Sequence, residues 1–172
     1  MNLWFRFTWV FLNSIFRKVS NDHAFVSRIH FRVMPSDCDV NMHMTNSRYL
    51  SFMDLGRVHF LLMTPLRFAF WKGRWRPIVA GAMVKYYKSL KPLQGFELVT
   101  KLMGHDLKFV YMEQRVEVEG QTYAQAYFRG LFRNQLGHVP PAEVMRAAGR
   151  GQEPMLTSHL TYLFSEMDRQ ED

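Results

Sequence analysis

The chain opens on a crowded apolar run, MNLWFRFTWVFLNSIFRK, interrupted by Arg6 and Asn13 and closed by Arg17 and Lys18. It predicts an N-terminal helix over 1–18. The run falls short of the roughly 20 apolar residues of a spanning helix, and it lacks the small-residue cleavage site of a secretory signal. Trp4, Phe5, Trp9, Phe11 and Phe16 suit a membrane headgroup layer beside basic residues. They equally suit a face packed on the domain or a partner subunit, and the residues leave both open. After the polar stretch 19–24 a period of two begins. Ile29, Phe31 and Val33 alternate with Arg28, His30 and Arg32, predicting a half-buried strand over 25–33 that Met34 and Pro35 end.

A helical period follows. Thr45 or Asn46 is a good N-cap, and Tyr49, Phe52, Met53, Phe60 and Met63 fall broadly at helical spacing, so a long helix should run to Met63 before Thr64 and Pro65 break it. Gly56 weakens such a helix by about 1 kcal/mol relative to Ala, so its expected use is close packing on a sheet. Residues 66–74 read as a short helix or a basic loop. Four strands are then predicted over 77–89, 96–103, 109–119 and 122–134, punctuated by Gly95, Gly104, Gly120 and Gly137. In the third, Tyr111, Val116 and Val118 are set against Arg115, Glu117 and Glu119, which predicts one wet face. A helix opening on a proline pair is expected over 140–150. One strand, a long helix and a meander of strands is an α+β order, satisfied by a curved antiparallel sheet wrapped around a long central helix. The expected organisation is the aromatic helix at 1–18, one domain over 25–145, and a polar tail or helix over 146–172.

At 172 residues the chain can bury a core without disulfides or metal. Twelve Met and an aromatic fraction of 15% enlarge that core or line an adaptable apolar groove. The net charge of +7 favours an anionic partner. A phosphate-bearing ligand and an acidic membrane surface both qualify, whereas nucleic acid lacks any accompanying motif and is not expected. Cys38 is the one cysteine, so no internal disulfide forms and a reducing, cytoplasmic setting is expected. Its flanking Asp37 and Asp39 would raise the thiol pKa and leave it structural.

Between the first strand and the long helix lies the densest chemistry. Asp37, Asp39, Asn41 and His43 stand at every second position, and Asp and Asn are poor strand residues, so they belong to a loop that presents polar groups. Beside a helix start they meet unpaired N–H groups and the positive end of the helix dipole, a place to stabilise an oxyanion. Asp37, Asp39 and His43 lack a fourth ligand, so no metal is expected. No glycine-rich phosphate loop is present.

DCDVNMHMTNSRYL resembles the D-x-D-x-N-x-H-x-N-N-x-x-Y signature of hot-dog-fold acyl thioesterases, the 4-hydroxybenzoyl-CoA thioesterase-like superfamily. The likeness extends through PSDCDVNMHMTNSRYLSFMDLGR, WRPIVAGAMVKYYKSLKPLQGFEL and FRGLFRNQLGHVPPAEV to bacterial proteins akin to mammalian thioesterase superfamily members. It implies a hot-dog fold and hydrolysis of an acyl-CoA or acyl-carrier-protein thioester, with coenzyme A entering as part of the substrate and no other cofactor. Asp39 matches the catalytic carboxylate, acting as base or nucleophile. Asn41 and His43 match its polar partners, and Asn46 falls at the helix start, where its N–H would polarise the carbonyl. Tyr49, Arg57, Lys85 and Lys88 are candidate substrate contacts. Asp37 is expected to cap the turn. Thr45 replaces the first Asn of the family's pair, and 77–82 lacks the downstream acid of plant carrier-protein thioesterases. In the family the site lies between subunits, and a sheet with an apolar face and an open edge calls for a homodimer or higher oligomer. A non-catalytic acyl-binding protein, and a protein held peripherally to a membrane by 1–18, stand as alternatives.

Overall fold

The computed structural model describes residues 2–20, 22, 24–149 and 159–169. The apolar N-terminal run forms α1 (Asn2–Ile15), and the first alternating stretch forms β1 (Val26–Arg32). The long helix α2 (Asn46–Met63) starts at a Thr45 N-cap and stops at Thr64, as its sequence signals require. The basic stretch after it is a helix, α3 (Leu66–Gly73). Four long strands follow: β2 (Arg76–Tyr86), β3 (Gly95–His105), β4 (Val110–Val118) and β5 (Gln121–Asn134). A short β6 (Gly137–Val139), too brief to show a period in the sequence, hairpins back onto β5. Two helices complete the described chain: α4 (Pro141–Ala147), opening at the proline pair, and α5 (His159–Arg169). The rest of the expected tail, 150–158 and 170–172, lies outside the described residues.

The sheet is antiparallel throughout, in the order β1-β3-β4-β5-β2. It packs one face on α2 through Phe31, Phe96, Leu98, Val116 and Phe52. Gly56 sits where helix and sheet come closest: a Cβ there would stand 2.5 Å from Leu98 Cδ2 and 2.7 Å from Gln114 Nε2. Only a residue without a side chain permits that approach.

Two expectations about the sheet need correction. Tyr111 does not share a face with Val116 and Val118, because in a period of two it pairs with Glu113 and Arg115. Its ring packs under α5, 5.8 Å from the buried Phe164, so α5 is anchored to the outer side of the sheet. That outer side is not apolar. It carries a charged lattice in which Glu97 pairs with Arg28, Arg115 reaches both Glu113 and Glu117, and Gln125 donates to Glu113. The exposed apolar surface lies instead on α1, on α3 and along β2, where 76–80 is exposed and only one side of the strand is paired, to β5.

Candidate functional site

Pro35 opens a single 3-10 turn, Pro35–Asp37, and Asp37 turns its carboxylate inward, fully buried. Burial of a carboxylate requires partners. Arg6 of α1 supplies two hydrogen bonds, at 2.7 and 3.0 Å, the Met34 N–H a third at 2.8 Å, and Arg48 of α2 adds a cation at 3.5 Å. Asp37 thus caps its turn, as its place in the loop suggests, and also locks α1, the loop and α2 together. Arg6 and Arg48 gave no sign of this in the sequence, since neither stands at a local spacing from Asp37.

The loop then doubles back. Cys38 and Met44 form a β-bridge, Asp39 donates its N–H to the His43 carbonyl at 2.9 Å, and Thr45 donates to the Asp37 carbonyl at 3.1 Å. Met42 takes the left-handed conformation, φ 58°, at the tip. Asp39 Oδ1 accepts the N–H groups of Asn41 and His43, at 2.9 and 3.2 Å, so the carboxylate is oriented by its own turn. The bridge and the Thr45 bond hold this turn against the first residue of α2. There Thr45 takes extended N-cap geometry without a side-chain cap. Among the described residues the N–H groups of Asn46 and Ser47 have no hydrogen-bond acceptor. An oriented carboxylate in a loop that leads into two open N–H donors at a dipole's positive end supplies the kinds of group that polarise a carbonyl and deliver water or the carboxylate itself to it.

Asp39, Asn41, His43 and Asn46 are all exposed in the single chain, and none lines a cavity described below. The other end of β2 approaches the same place. The Tyr86 hydroxyl donates to the Asn46 carbonyl at 3.4 Å, and Met44 donates to Leu90 just past β2. Lys85 and Lys88 therefore sit at the motif end of α2, Lys88 bonded to Gln121 at 2.8 Å. Tyr49 is no surface contact. It is buried, its hydroxyl accepting the Leu90 N–H at 3.1 Å and donating to the Lys88 carbonyl, and burial pushes its pKa up. Cys38 is half-buried, and burial, then Asp37 and Asp39, raise its thiol pKa.

Arg57 lies apart from these, eleven residues along α2 from Asn46. Its guanidinium stacks 4.1 Å over the Phe128 ring, pairs with Asp54 and donates to Gln114 Oε1 at 2.9 Å, with burial lowering its pKa. Gln114 is fully buried, and its amide donates to the Met53 carbonyl at 3.0 Å and to Thr100 Oγ1 at 2.8 Å. A glutamine in an alternating strand reads as solvent-facing, so only the fold reveals this brace. Arg57 also lines an apolar cavity of ≈ 200 Å³ between α2 and β2, β4 and β5, with Val58, Leu61, Ile78, Val79 and Phe128. A second cavity, ≈ 270 Å³, lies between α1 and α2 against Leu3, Trp4, Phe7 and Leu55, and Asp54 and Val58 line both. Among the described residues no cluster of His, Cys, Asp and Glu forms a metal site.

Comparison with known proteins fits this geometry. A family profile described as the thioesterase-like superfamily matches residues 33–149. The chain belongs to that superfamily. Protein THEM6 of Danio rerio is 32% identical over 127 residues, covering 73% of this chain and 63% of the relative, so the chain spans under two thirds of that relative's length. The crystal structure of YbaW, a probable thioesterase from Escherichia coli, superposes with a TM-score of 0.65 at 17% identity, over 72% of this chain and 98% of that one. A mutant 4-hydroxybenzoyl-CoA thioesterase complexed with 4-hydroxybenzoyl-CoA gives 0.61 at 12% identity, over 72% and 98%. The α+β architecture is therefore the hot-dog fold of these thioesterases.

Proposed function

We propose that this protein hydrolyses acyl thioesters of coenzyme A or an acyl carrier. Asp39 activates water or attacks directly, Asn41 and His43 position the reactants, and the first N–H groups of α2 receive the carbonyl oxygen. The observation that carries the reading is a loop, tied to the start of α2 by the Thr45 bond, that orients the Asp39 carboxylate and leads into the open Asn46 and Ser47 donors. A thioester carbonyl is electrophilic and its thiolate leaves readily, so an oriented carboxylate and an oxyanion donor suffice. Superfamily membership supports the reaction class. Lys85 and Lys88, at the same end, suit the phosphates of the carrier group.

Asp39 is exposed in one chain, and we propose that a second copy supplies the facing wall. We place the dimer contact along the open edge of β2, which would close the apolar cavity at Ile78 and Val79 and confine the acyl group there. The wild-type protein should release thiol from a panel of acyl-CoA chain lengths, and Asp39→Asn should lower kcat by about 10²-fold or more with KM little changed. Full turnover by Asp39→Asn would overturn the assignment of Asp39. Saturable acyl-CoA binding by the wild type without thiol release would favour a non-catalytic acyl-binding protein.

A further inference from the structure

A helix that packs on a domain normally turns a polar face to water. The outer face of α1 does not. Phe5 is 73% exposed there and Phe16, one residue past the helix end, 85%; Leu12 lies between them, and Trp4 and Trp9 flank them at 78% and 48%. The inner side of the helix engages the domain through Val10, which is buried, and Arg6 on Asp37, with the edge of Trp9 reaching to 6.2 Å from Phe31. The exposed rings of Phe5 and Phe16 lie outside these contacts. They continue onto α3: Phe11 meets Trp71 at 6.4 Å, and Trp71 and Phe68 are themselves more than half exposed.

Charge identifies what this face meets. Met1 to Asn21 contains three basic residues and no acidic one, and Leu55 to Phe96 contains eight and none. These two stretches hold half of the 22 basic residues, and the remainder of the chain is net acidic. Arg17 and Lys18 border the end of α1, and Lys72 lies in the last turn of α3. Immediately beyond α3, Arg74, Arg76 and Arg133 surround one depression of ≈ 540 Å³ that no acidic side chain lines, with Arg76 and Arg133 opposite each other across β2 and β5. Arg6 and Arg57 are paired with Asp37 and Asp54, but Arg17, Lys18 and Lys72 have no acidic partner among the described residues. Aromatic rings bordered by such cations match the interfacial layer of a bilayer, with rings at the acyl boundary and cations at headgroup phosphates. Nucleic acid would satisfy the cations but would not cover Phe5, Leu12 and Phe16. No helix among the described residues is long and apolar enough to cross a membrane, and α1, at 14 residues, spans about 21 Å.

We infer that α1 and α3 together form a docking surface for an anionic phospholipid membrane. The inference stands apart from the chemistry of Asp39. It is tested by floating the full chain with phosphatidylcholine vesicles, or with vesicles of equimolar phosphatidylcholine and phosphatidylglycerol, while following tryptophan fluorescence. The protein should float with the anionic vesicles, with a blue shift, and less with neutral ones, and added salt should weaken binding. Phe5→Ser with Phe16→Ser should weaken it by at least about tenfold, while circular dichroism and the melting curve stay as in the wild type. Lys18→Glu with Lys72→Glu should erase the preference for anionic vesicles. Failure of the wild type to float with anionic vesicles overturns the inference, as does unchanged flotation of the phenylalanine variant. Self-association lost in that variant, without vesicle binding, would assign the face to a second copy of the chain.

Discussion

His59 is a neutral imidazole built into the core. It sits on α2 with its Nδ1 2.5 Å from Ser27 Oγ of β1, and both side chains are buried. Burial, reinforced by the charge of Arg17, pushes its pKa down to about 4 from 6.5. Between those values the unfolded chain binds a proton that the folded chain refuses. Stability is therefore full above the unfolded value and falls as the pH drops toward the folded one, by about 3 kcal/mol if this group acts alone. Urea unfolding at about pH 7 and about pH 4.5 should show that loss, and His59→Gln should flatten it. An undiminished loss in the variant would assign the effect to other groups. The residue scale is also where the sequence is least legible. The partners of His59, Asp37 and Gln114 lie 32, 31 and 61 residues away. Local periodicity carries no record of such pairs.

Elements were more legible, because each is written in its own neighbours. The caps and breakers of α2 and the glycines between strands locate most boundaries. The sequence failed where a strand is too short to show a period, as in β6, or where the pleat sets the face, as for Tyr111. Gly56 was legible in kind, and the structure supplies its reason in Leu98 and Gln114. Gly56→Ala should gain up to about 1 kcal/mol of helix propensity but lose about 1–3 kcal/mol to overpacking, since Leu98 and Gln114 would both have to move. A net loss of about 1–2 kcal/mol by chemical denaturation is the expected outcome. A more stable variant would mean that the helix lifts from the sheet without cost.

For the whole molecule, the informative surfaces are those left uncovered. The outer face of the sheet is occupied by its charged lattice and by α5, and of the two edge strands, β1 and β2, the proposed dimer uses β2. Val79 is exposed on that edge and lines the apolar cavity. Val79→Lys should blunt the edge, shifting sedimentation velocity from dimer to monomer and lowering thioester turnover with it. A wild-type monomer with full activity would place the whole site within one chain. At this scale the motif predicted a helix start beside a polar loop, which the structure contains, but one sequence does not show which edge a second copy would take in the proposed dimer.

Arg6 joins two of these surfaces. Its outer neighbours on α1 are the bare rings, and its guanidinium grips the buried carboxylate two residues before Asp39. To peel α1 away is to take two of the hydrogen bonds from that carboxylate and leave it with Arg48 and the Met34 N–H, a loss of up to about 3–5 kcal/mol if the site stays buried. The first helix is thus no loose leash: whatever grips it from outside also has hold of the turn from which the Asp39 loop departs.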